Sequence, residues 1–183
     1  GAMWLGTMSK TKQAGAGAIY HFRDGVLTKL FADITIPNAI CFSPDGVTAY
    51  FTDTMSGKIM QVAINPEDAL PTEKPKVFFR QPRNDVGGID GAICDADGNL
   101  WNARWGSNCL DRYTRFGERA ECIALPVSQP SCPAFVGGNH IAVTSAWESM
   151  DDAMRSADPH AGKTVLIEFD KPVHARFEPR AVI

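Results

Sequence analysis

At 183 residues, 44% of them apolar and 21% charged, the chain is long enough for one folded domain with a core of its own. The formal net charge of −3, without a block of Lys and Arg, argues against nucleic acid as a partner, and no apolar run reaches the length of a membrane span. With no signal sequence at its start, a cytoplasmic protein without a membrane partner is expected.

The first segment, GAMWLGT at 1–7, opens on a glycine and places an aromatic residue three positions later. GAIYHF (17–22) and VLTKLFA (26–32) follow, short runs of β-formers bounded by turn residues, which predicts strands. A strand over 38–43 then runs into an Asp45-Gly46 turn, followed by GVTAYFT (46–52), GKIMQV (57–62) and KPKVFF (74–79). The same order recurs from 90–95 through an Asp97-Gly98 turn to GNLWNAR (98–104), NCLDRY (108–113) and ERAECIALP (118–126). It recurs again from 132–136 through GNHIAVT (138–144), a short helix within 147–158, GKTVLIEF (162–169) and ARFEPRAVI (175–183).

A four-strand unit returning in phase every 40–50 residues or so is the pattern of a β-propeller blade. A β-sandwich explains short strands but not that recurrence. The expected fold is all-β, a β-propeller of four-stranded blades, with about three and three-quarter blades in a single partial domain over 1–183. The N-terminal blades are expected to be missing, because such a piece leaves two sheet edges and an apolar central wall open. Self-association, or the missing N-terminal segment, is expected to cover them.

Two segments share more than their fold. Asn38 precedes Asp45 by seven residues, and Asp90 precedes Asp97 by seven. Both stand at the start of an inner strand, which in a propeller lies at one mouth of the central channel. Either residue alone reads as a turn former, Asn38 after Pro37 and Asp90 before Gly91. Their recurrence in one register favours a shared purpose: two oxygen donors aimed at one hard cation such as Ca²⁺. The third complete unit has Pro130 in that slot, beside Ser131.

The pieces WLGTM (4–8), GAIYHF (17–22), IPNAICFSPDG (36–46), GIDGAICDADGNLW (88–101) and FEPRAVI (177–183) resemble the gluconolactonase/regucalcin family. That family also takes in senescence marker protein and luciferin-regenerating-enzyme-like proteins. The paired Asn and Asp-Gly segments are not features of WD-repeat or kelch propellers. The resemblance implies the C-terminal portion of a six-bladed propeller with one divalent cation in its channel, Ca²⁺ first, with Zn²⁺, Mn²⁺ or Mg²⁺ as alternatives. It implies a metal-dependent hydrolase that opens a sugar lactone, a small-molecule substrate. By position, Asn38 and Asp90 match two of the family's metal ligands, and Asp90 also matches its proposed general base. Whether Asp90 is base and ligand or ligand alone stays open. The family's third ligand, a glutamate, and its sugar-binding Arg/Asn pair match positions before Gly1. The stretch after GTM, SKTKQ at 9–13, carries no acid where many relatives have one. The alternative readings are a non-catalytic calcium-binding propeller, or an inactive fragment that needs its missing N-terminal part.

Further candidates come from the loops at the same mouth. Trp105 and Trp147 either wall the substrate or pack at strand ends. Arg83 and Asn84 either touch substrate or belong to a solvated connection. The acids in 148–158 read more readily as a solvated helix face than as a second cation site. Cys41 and Cys94 sit in apolar runs as small core residues, and no Cys/His spacing of the zinc type occurs. No nucleophile elbow, H-E-x-x-H or P-loop is present, and the four His residues are scattered.

Overall fold

The computed structural model describes residues 1–176, and the recurring segments up to GKTVLIEF (162–169) each carry a β-strand. The first sheet holds β1 (Met3–Thr7), β2 (Gly17–Arg23) and β3 (Val26–Ile34). The second holds β4 (Pro37–Phe42), β5 (Thr48–Asp53), β6 (Lys58–Ala63) and β7 (Lys76–Arg80). The third holds β8 (Gly88–Cys94), β9 (Leu100–Trp105), β10 (Cys109–Tyr113) and β11 (Arg119–Ala124). The last holds β12 (Pro130–Phe135), β13 (His140–Ser145) and β14 (Thr164–Glu168). Every sheet is an antiparallel meander with strands in chain order, the arrangement of a propeller blade; β4, β8 and β12 are the inner strands, and β1 matches the second strands β5, β9 and β13. The segment 175–183, expected as the outer strand of the last blade, lies largely outside the described residues.

The turns follow from their residues. Gly46 and Gly98 adopt φ of +73° and +83°, a region that costs other residues energy, and so close the β4–β5 and β8–β9 hairpins. Asp45 accepts from Ser43 Oγ, and Asp95 accepts from the backbone N–H groups of Asp97 and Asn99. Pro37, Pro130 and Pro133 are tolerated because β4 and β12 are edge strands of their sheets.

Three apolar layers join the four sheets. Trp4, Ile19, Ile34, Phe51 and Val62 fill the first. Cys41, Tyr50, Ile59, Ile89 and Tyr113 fill the second. Trp101, Leu110, Phe135, Ile141 and Val143 fill the third. Cys41 and Cys94 are 2% and 1% exposed, core thiols as anticipated. The middle strand β9 is buried on both faces while β11 is largely exposed, so each blade is driest toward its centre. The helix within 147–158 is a single stretch, α1 (Asp152–Ala157), capped by Asp151, whose carboxylate accepts from Met154 N at 2.8 Å.

Candidate metal centre and active site

The slot shared by Asn38 and Asp90 is a β-bulge. Pairing slips between Asn38 and Cys41 in β4, between Ile89 and Ala92 in β8, and between Pro130 and Cys132 in β12. A bulge inserts an unpaired residue and re-aims side chains, a device common beside active sites. Ala39 carries the strain of the first, with φ of +51° in a buried setting. Gly91 serves the second: a Cβ there would lie 2.7 Å from Ser131 O and 2.8 Å from Cys132 Sγ. Only a glycine lets β12 approach β8 this closely.

Thr54, just past β5, ties the two candidates together. Asn38 Nδ2 donates to Thr54 Oγ1 at 3.0 Å, and Thr54 Oγ1 donates to Ile89 O at 2.7 Å, one residue from Asp90. Because the hydroxyl spends its one hydrogen on Ile89, it must accept from Asn38. That fixes which end of the amide is nitrogen and leaves Oδ1 for another partner. Asn102, fully buried, donates to the backbone carbonyls of Asp90 and Gly91 at 2.9 and 3.0 Å and holds the second bulge in shape.

The Asp90 carboxyl is half-buried, and burial pushes its pKa up to about 6. The Gly91 backbone N–H offsets part of this, and the negative charge of Glu148 adds to it. Glu148 pairs with Lys12 at 2.9 Å, which joins the loops 8–16 and 146–163 at the same mouth. Oxygen donors, one neutral and one acidic, the acid half-buried and with no cationic neighbour among the described residues that shifts it, suit a hard divalent cation. The residues present therefore fit such an ion.

The other candidates separate. Arg83 and Asn84 are exposed. Trp105 pairs with Gly88 beside the strand that carries Asp90. Trp147 is 56% exposed and lies under the Arg155 guanidinium, 4.4 Å from its ring centre. Of the acids in 148–158, Asp151 caps α1 and Asp158 accepts from Ser128, so their carboxylates serve the local fold. Thr54 and Asn102 were not anticipated. Asn102 did leave a sign: it interrupts a buried strand at the position where the preceding unit has Tyr50. Thr54 left none, since its role depends on how two blades meet.

The chain resembles a protein of Rhizobium meliloti (strain 1021), provisionally named a sugar lactone lactonase, with 54% identity over 181 residues, 98% of this chain and 60% of that protein. It is 39% identical over 127 residues to the L-arabinolactonase of Azospirillum brasilense, covering 69% of this chain and 41% of that one. Among solved structures, a calcium-binding protein, regucalcin, from Agrobacterium tumefaciens str. C58 superposes with a TM-score of 0.92 at 47% identity, covering 98% of this chain and 60% of that one. The chain thus spans 60% or less of the length of these relatives. A family model described as the SMP-30/Gluconolactonase/LRE-like region matches residues 1–147, most of a chain whose blades and bulges are now in view, and the chain belongs to that family.

Proposed function

We propose that this chain is the C-terminal part of a cation-dependent sugar lactone hydrolase, with Asn38 and Asp90 as two ligands of a divalent cation, Ca²⁺ first. The observation that carries this is the pair itself: Asn38 Oδ1 and the Asp90 carboxylate stand at matching bulges of adjacent inner strands, coupled through Thr54. A bound cation would supply Lewis-acid polarisation of the lactone carbonyl. Asp90 either accepts the proton of the attacking water or serves as a ligand alone, since a bound cation lowers the basicity of the carboxylate that holds it. The new C–O bond forms as the ring C–O bond breaks, the ring oxygen takes up a proton, and an aldonic acid leaves. Thr54 holds the Asn38 amide in place, and Asn102 holds the backbone that carries Asp90. The names of the relatives, lactonases of sugar substrates, support the substrate class.

The test uses the complete protein and this chain side by side, with L-arabinono- and D-gluconolactone as probes. Hydrolysis should stop with EDTA and return with Ca²⁺. Asp90→Ala should lower kcat by about 10²–10⁴-fold. Asn38→Ala should chiefly raise the Ca²⁺ concentration needed for half-activity. Full turnover by Asp90→Ala would remove Asp90 from the chemistry, and activity indifferent to EDTA would remove the cation.

A further inference from the structure

A second cluster of donor atoms lies on the third blade, away from the inner strands. Cys109 and Asp111 alternate on one face of β10, and Cys122 of β11 is the direct cross-strand partner of Asp111. One ligand atom from each of these residues lies within 4.8 Å of the others. Cys109 and Asp111 are buried and Cys122 is exposed, so the cluster opens to solvent on one side. Neither thiol is in a disulfide.

The carboxylate of Asp111 is divided between two tasks. Its Oδ2 accepts from Tyr113 Oη at 2.9 Å and pairs with Arg119 Nε at 3.1 Å and Arg104 Nη1 at 3.4 Å. Its Oδ1 faces only the weak donor Cys109 Sγ, at 3.6 Å, although Asp111 is 1% exposed. The charges around it already balance. Arg104 and Arg119 are matched by Asp111 and by Asp85, which pairs with both guanidiniums. Two thiols losing their protons would add two negative charges, the amount a divalent cation neutralises. Tetrahedral coordination by two thiolates and a carboxylate sets ligand atoms about 3.5–3.8 Å apart, a contraction that small χ rotations of two cross-strand thiols can reach.

We propose that Cys109, Cys122 and Asp111 Oδ1 form a site for a thiophilic divalent metal of the zinc type, separate from the oxygen-donor site at Asn38 and Asp90. Two metal–sulfur bonds form, and two thiol protons pass to solvent. The metal would pin the exposed edge strand β11 to β10. Sulfur donors make this site blind to Ca²⁺, so the protein holds a hard and a soft cation site on different parts of the fold.

The experiment titrates the reduced, metal-stripped chain with Co²⁺ under anaerobic conditions. One equivalent should produce the near-ultraviolet thiolate-to-cobalt absorption and the visible bands of tetrahedral cobalt, and Zn²⁺ should abolish both. Cys122→Ser, at an exposed position of the edge strand β11, should lose the thiolate absorption and weaken Zn²⁺ binding at least about 100-fold while leaving the melting temperature of the metal-free chain unchanged. Cys132→Ala, whose thiol borders Asp90, and Asp90→Ala should keep the signal. A wild-type chain without the absorption overturns the proposal. So does a signal that survives Cys122→Ser or disappears with Cys132→Ala.

Discussion

Asp90 is a residue whose environment works against its charge. Its pKa is raised from the ordinary 3.8 to about 6, so the folded chain binds that proton more tightly than the unfolded chain does. Ionising it therefore costs stability. The cost is absent below about pH 4, grows as pH rises toward 6, and is complete above that. A shift of this size corresponds to about 2–3 kcal/mol. The groups that face it are Glu148, whose charge adds to the rise, and the neutral thiol of Cys132. In EDTA at pH 7.5, Asp90→Asn should thus be more stable than wild type to urea, and the gain should vanish at pH 4. An equal gain at both pH values would mean that the effect is packing and not charge. Thr54→Val should strand both Asn38 Nδ2 and Ile89 O and cost about 1–3 kcal/mol. At this scale the sequence marks the two proposed ligands, Asn38 and Asp90, by their recurrence in one register. It hides Thr54, because a hydroxyl that joins neighbouring blades has no local pattern.

At the scale of elements, strands and hairpins were legible because each obeys a local rule. Asp-Gly turns need positive φ, and β-formers between turn residues make strands, so segments such as GVTAYFT and NCLDRY fall on β5 and β10. The bulges were not legible. A one-residue slip in pairing becomes visible only when both strands are placed, and the slips fall at Asn38 and Asp90. The Gly91 position tests this level. Its missing Cβ is what admits Ser131 and Cys132 of the next blade. Gly91→Ala should force β12 away from β8, cost about 1–3 kcal/mol, and weaken cation binding through the displaced neighbour. If the variant melts at the wild-type temperature, the close approach of the two inner strands is not a constraint.

At the scale of the whole molecule, the four blades bury their faces against one another, but among the described residues β1 pairs only with β2. Beside it lies a cavity of about 530 Å³ lined by Met3, Trp4, Ile40, Phe42 and Ile64, largely apolar. A free strand edge next to apolar surface recruits another strand. The chain studied by itself should consequently associate with rising concentration, with the β1 edge as the contact. Leu5 is 41% exposed on that strand, and a charge there would repel a second copy without touching the core. Leu5→Lys should shift the chain toward monomer in sedimentation and leave its melting temperature nearly unchanged. Association of equal strength in Leu5→Lys would place the contact elsewhere, at the exposed outer strands β3 or β11 in preference to the inner wall.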